Sequence, residues 1–131
     1  MDKVKVGATG TATMIVGTND TAPRVGSGKI PVLATPVMIN LIEEAALNAI
    51  EGDLAAGQQS LGTHLDVSHV AATPVGMRVI ATAAVDDIDN RRVEFVVRVE
   101  DEHELIGEGW HTRVVVTAEK FQAKVDAKAQ K

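Results

Sequence analysis

Two ionisable side chains of this sequence fall where their neighbours are apolar, and both are of a type that does acid–base work. Glu43 lies in the run Leu33-Ala-Thr-Pro-Val-Met-Ile-Asn-Leu-Ile-Glu-Glu-Ala-Ala-Leu-Asn-Ala-Ile-Glu51. Wound at about 100° per residue, this run gathers Val37, Met38, Leu41, Ile42, Ala45, Ala46 and Ala49 on a broad apolar arc, and Asn40, Glu44, Asn48 and Glu51 on the polar remainder. Glu44 sits mid-strip, whereas Glu43 lies at its edge among Ile39, Leu47 and Ile50. A carboxylate at an apolar edge is costly unless hydrogen-bonded, so Glu43 either reaches water at the boundary or is paired and employed. His69 falls near the end of a strand-like run, Gln59 to Val70. Leu61, Thr63, Leu65, Val67 and His69 share one face of it, and Gly62, His64, Asp66 and Ser68 the other. Pointing with the apolar set, His69 is either a satisfied core residue or a base.

Other chemistries drop out on composition and spacing. There is no cysteine, which removes disulfides, thiolate nucleophiles and cysteine metal sites together. No G-x-S-x-G is present. His64, His69, His103 and His111 lack a short zinc-ligand spacing, so no metal site is expected. A net charge of −5 and an aromatic content of 2% argue against a nucleic-acid surface, although one local basic site for a phosphorylated ligand is compatible with both. The sequence shows no charged-then-apolar leader and no apolar run of membrane length, and a soluble cytoplasmic protein is expected.

The elements that must position these groups can be read along the chain. Lys3 to Val16 alternates loosely as a first strand, weakened or bulged at Gly7 and Gly10 and ended by Gly17. Thr18 to Gly28 is a polar loop, either a lid or a plain connection. Thr35 before Pro36 reads as a helix N-cap with proline at the first helical position, and Gly52 closes the helix. A helix apolar over more than half its circumference needs nearly full burial. After Gln59 to Val70 comes a turn at Thr73-Pro-Val-Gly76, then strands Met77 to Ile88 and Arg91 to Glu100 joined across Asp89-Asn90. Beyond the turn Asp101 to Glu104, a last strand runs from Leu105 to Ala118. It sets Trp110, Thr112, Val114 and Val116 on one face and His111, Arg113 and Val115 on the other. Glu119 to Lys131 reads as a polar tail or frayed helix.

One strand, one apolar helix and then four strands in hairpin succession make an α+β domain spanning 1–131, with 45% hydrophobic residues to fill a core. A single antiparallel sheet of about five strands curled around the helix buries it economically, which is the hot-dog arrangement. Long strands leave free edge, so an edge-to-edge homodimer is expected.

Three segments resemble the fluoroacetyl-CoA thioesterase type of hot-dog protein: Leu33 to Glu43, Ser60-Leu-Gly-Thr-His-Leu-Asp-Val-Ser-His-Val-Ala-Ala-Thr-Pro-Val-Gly76, and Arg113 followed by Glu119-Lys-Phe-Gln-Ala-Lys-Val125. The resemblance implies a hydroxyl, carboxylate and imidazole set carried over as Thr35, Glu43 and His69. It further implies that the Gly62 N–H holds the thioester carbonyl and that Arg113 meets a coenzyme A phosphate. On this reading His69 is the base, Glu43 attacks the carbonyl or orients water, Thr35 assists, and the substrate is an acyl-CoA needing no separate cofactor. A non-catalytic acyl-CoA or small-ligand binding module is the alternative. The resemblance departs at Lys29, where fluoroacetate-specific members carry a phenylalanine gate, and no aromatic occurs from Val16 to Thr35. A short or medium acyl-CoA and a more open or more polar entrance are therefore expected.

Overall fold

A computed structural model of the chain describes residues 1–130. The alternating runs form five strands: β1 (Thr9–Ile15), β2 (Gln58–His69), β3 (Arg78–Asp89), β4 (Arg92–Asp101) and β5 (Leu105–Thr117). The helices are α1 (Ala22–Val25), α2 (Thr35–Ile50) and α3 (Ala118–Ala129). All pairings are antiparallel, in the order β1-β3-β4-β5-β2. The apolar arc of α2 is buried, with Met38, Ile42, Ala45, Ala46 and Ile50 wholly inaccessible. It faces Val79, Ala81 and Ala83 of β3 and Val93, Phe95, Val97 and Val99 of β4. Full burial of a valine, isoleucine or phenylalanine side chain contributes roughly 1.5–3 kcal/mol, so this one interface carries much of the fold.

The hot-dog architecture is as expected, but the strand succession is not. Only β3, β4 and β5 form a meander of hairpins; β2 crosses the domain to pair with β5 at the far edge. The crossing segment is tied down by Leu33 N–H donating to the Thr73 carbonyl (2.9 Å) and by the buried Thr73 hydroxyl donating to Asp101 (2.9 Å). At the β3–β4 turn, Asn90 adopts φ 57°, a left-handed conformation that asparagine tolerates.

Several boundaries move for identifiable reasons. The first strand begins at Thr9, not Lys3. Gly10 is a contact point more than a weakness, since a Cβ there would collide with the Ala45 carbonyl and the Ala49 amide of α2. Gly10→Val is expected to lift the helix from β1 and cost roughly 1–3 kcal/mol, as overpacking does, read as a lowered urea midpoint. Thr35 is the first helical residue; Ala34 occupies the cap position, and no side chain caps this end. Gly52 lies within a short 3-10 turn, Glu51–Asp53, that carries the chain past the helix end. The segment 18–28 is not featureless, because it holds a 3-10 turn at Thr18–Asp20 and the helix α1. Ala34 N–H to the Asp20 carbonyl and Ala22 N–H to the Val32 carbonyl strap it over the start of α2. The C-terminal tail is helical from Ala118; Lys131 lies outside the described residues.

Candidate active site

Strand β2 carries a bulge that decides which of its residues look inward. Its register with β5 pairs Gly62 with Arg113 and His64 with Thr112, leaving Thr63 as the extra residue. Simple alternation puts Gly62 and His69 on opposite faces. The bulge corrects that, because Gly62 faces Glu43, with only 2.7 Å between an added Cβ and Oε2, while Leu65, Val67 and His69 return to the same inner side. A side chain at this position would have to displace the Glu43 carboxylate and crowd His111.

Two polar groups result. At the N-terminus of α2, the Thr35 hydroxyl and His69 Nδ1 are 2.7 Å apart. Nε2 of the same ring makes no hydrogen bond among the described residues. The ring borders a cavity of about 290 Å³ lined by Ala22, Val32, Leu33, Thr35 and Ala71, among others. Burial holds the His69 pKa below its ordinary 6.5, and the Ala71 backbone offsets part of that effect. The imidazole is thus neutral at pH 7, free to accept the threonine proton.

The second group lies around Glu43. Arg113 Nη1 reaches Glu43 Oε2 at 3.4 Å. The guanidinium is buried, and its other donors go to the Ser60 hydroxyl (2.8 Å), the Ser60 carbonyl (3.1 Å) and His111 Nε2 (3.2 Å). His111 Nδ1 lies 2.8 Å from the His64 carbonyl, to which it must donate, so Nε2 is left as an acceptor for Arg113. Burial first, and the neighbouring guanidinium next, hold His111 below the usual histidine range and so keep it neutral. Its ring stacks on Phe95, with centroids 6.0 Å apart. Arg113, which the resemblance assigns to a phosphate, stands here inside the domain as the partner of Glu43. Ser60 and His111 were not foreseen; the available signal was that His111 and Arg113 share the inward face of one strand.

Glu43 is half-buried and Glu44 exposed, as the helical wheel requires. Thr35 and Glu43 are eight residues apart on α2, or about 12 Å along its axis at 1.5 Å per residue, so one chain does not bring the three expected catalytic residues to one point. Lys29 is exposed and is not among the residues lining the cavity beside His69. No group of three or more histidines and carboxylates is arranged to hold a metal among the described residues, and no helix there is long and apolar enough to cross a membrane.

A curled antiparallel sheet around one central helix is the hot-dog architecture, and its relatives make this chain a thioester hydrolase of that class. Residues 16–119 match the family described as fluoroacetyl-CoA-specific thioesterase, FlK, and the chain belongs to that family. It is 42% identical over 97 residues to the fluoroacetyl-CoA thioesterase of Streptantibioticus cattleyicolor, covering 74% of this chain and 70% of that one. A solved structure of fluoroacetyl-CoA thioesterase FlK superposes with a TM-score of 0.89 at 35% identity, covering 95% of this chain and 96% of the other. A thioesterase-superfamily protein of Thermus thermophilus superposes at 0.92 with 25% identity, over 99% and 96% of the two chains.

Proposed function

We propose that this chain hydrolyses a short or medium acyl-CoA to the free acid and coenzyme A, with Thr35, His69 and Glu43 as its catalytic residues. The observation that carries the reading is the 2.7 Å contact between the Thr35 hydroxyl and His69 at the wall of a cavity. His69 Nδ1 takes the hydroxyl proton as Thr35 Oγ1 adds to the thioester carbonyl; collapse breaks the C–S bond, and the proton passes to the departing coenzyme A sulfur. A water molecule, deprotonated by the same nitrogen, then hydrolyses the acyl-threonine ester. The N-terminus of α2 favours the negative charge developing nearby. Glu43, tied to Arg113, is better suited to orienting water than to attacking carbon.

The 12 Å separation along α2 is bridged by a second copy of the chain. β2 is an edge strand whose inner face is not covered by its own helix: Leu65 is 38% exposed, and Ile39 and Leu47 beside Glu43 are only half-buried. Antiparallel pairing of two β2 edges, centred between Leu65 and Asp66, sets His69 of one protomer opposite Gly62 of its partner. The Thr35–His69 pair then meets Glu43 and Gly62 across the interface, and the Gly62 N–H is the group assigned to the thioester oxygen.

A panel of acyl-CoAs with a thiol-detecting readout, varied in length, charge and fluorination, tests the activity and its range. Release of thiol from two- to six-carbon thioesters is expected. Binding without release from any member of the panel removes the catalytic reading in favour of a binding module. The pH profile gives a second check. Only neutral His69 can accept a proton, so kcat/KM is expected to be flat through neutrality and to fall in acid with a midpoint below 6.5. A midpoint above 6.5 contradicts the assignment.

A further inference from the structure

With Arg113 committed to Glu43, Ser60 and His111, the phosphates of an acyl-CoA need another partner. Where β5 runs out into α3, a cavity of about 240 Å³ is lined by Arg91, Val116, Thr117, Lys120, Phe121 and Lys124. Lys120 and Lys124 are one helical turn apart and project beside Arg91 from the β3–β4 turn, which is held there by Val115 N–H donating to the Arg91 carbonyl (2.9 Å). Among the described residues, no carboxylate lies within ion-pair distance of any of the three cations. Three uncompensated positive charges around one cavity are notable in a chain of net charge −5. Phe121, 38% exposed, offers an aromatic face in the same cavity.

We infer that this cavity binds the 3′-phosphorylated ADP portion of coenzyme A, with Arg91, Lys120 and Lys124 facing the phosphates and Phe121 stacking on the adenine. Lysine and arginine hold phosphate by charge-assisted hydrogen bonds, and a base stacks on an aromatic face whatever its sequence context. The position fits a substrate that reaches from this cavity to the inner site. The cavity's Thr117 pairs with Gln58, and the Arg113–Gly62 rung lies four residues further along β5, roughly 13 Å at strand rise. An extended pantetheine arm spans that distance. The assignment rests on the acyl-CoA reading above, which it deepens by dividing the substrate between two parts of the domain.

The test compares one acyl-CoA with the corresponding acyl-pantetheine, which carries the same thioester and no nucleotide. In wild-type protein the acyl-CoA is expected to show the lower KM, an advantage that shrinks with added salt because the charges are exposed. Lys120→Glu with Lys124→Glu is expected to raise KM for the acyl-CoA roughly tenfold, the result of weakening several exposed charge contacts together. The kcat for both substrates and the KM for acyl-pantetheine should stay as in wild type, and Phe121→Ala should give a smaller change of the same kind. Equal KM values for the two substrates in wild type, or a charge reversal that alters both alike, overturns the site while leaving hydrolysis intact. If neither substrate is cleaved, the acyl-CoA reading fails instead. Calorimetry with adenosine 3′,5′-bisphosphate then decides the site alone: binding that the double variant loses supports it, and no binding overturns it.

Discussion

Replacing His69 by alanine is expected to slow acyl-CoA hydrolysis roughly 10²-fold or more, the scale of a general-base contribution, with the loss in kcat and little change in KM. Thr35→Ala should fall at least as far, since the hydroxyl 2.7 Å from His69 Nδ1 is the attacking group in the proposed scheme. Thr35→Ser should retain much of the rate because it keeps the oxygen. The helix has no side-chain cap at this end, so Thr35→Ala loses only the hydrogen bond to His69, a stability cost of about 0.5–1.5 kcal/mol that a thermal melt reads apart from the rate. That separates catalysis from folding. If water attacks directly and Thr35 only orients His69, Thr35→Ala keeps a substantial rate, and no acyl-enzyme mass appears when wild type is quenched during turnover. Equal rates for wild type and His69→Ala remove His69 from the mechanism. In acid, the same experiments need a parallel measure of folding. Burial depresses the pKa values of both His69 and His111, so the unfolded chain binds protons more readily, and stability declines as pH falls below the ordinary histidine value of 6.5.

The helix and the inner face of the last strand were legible because each is set by one strong periodicity. Val37 to Ala49 repeat at helical spacing, and His111, Arg113 and Val115 are all buried as alternation along the second half of β5 requires. The half-buried Glu43 beside an exposed Glu44 follows from the wheel alone. What the sequence concealed depends on contacts between distant segments. The order of the strands is set by the crossing of β2, which no local pattern encodes. The bulge at Thr63 costs no visible irregularity in residue type, yet it turns Gly62 to the side of His69. The Arg113 contact of Glu43 stayed hidden for a related reason: Arg113 is 70 positions away, and its burial depends on Ser60 and His111 supplying the hydrogen bonds that make an interior guanidinium tolerable.

Mixing two inactive variants, His69→Ala and Glu43→Ala, is expected to restore hydrolysis. In a symmetric dimer whose sites each draw His69 from one protomer and Glu43 from the other, a heterodimer of the two variants has one site carrying both substitutions and one carrying neither. Random exchange makes half of all dimers mixed, and each then holds a single intact site, so activity should approach about a quarter of the wild-type value. Sites contained within one chain give the opposite result, because each would carry one lesion and the mixture would stay as inactive as its parts. The distinction follows directly from the placement of Thr35 and Glu43 about 12 Å apart along α2. The exchange requires dissociation of the β2 edges, so the variants should be mixed in mild denaturant and then diluted. Leu65→Glu provides the control. It places a charge at the centre of the free edge, on a residue 38% exposed in the single chain, and is expected to give a folded monomer lacking both hydrolysis and complementation. A monomeric Leu65→Glu protein with full activity would show that one chain suffices and would return Glu43 to the role of a partner for Arg113 alone.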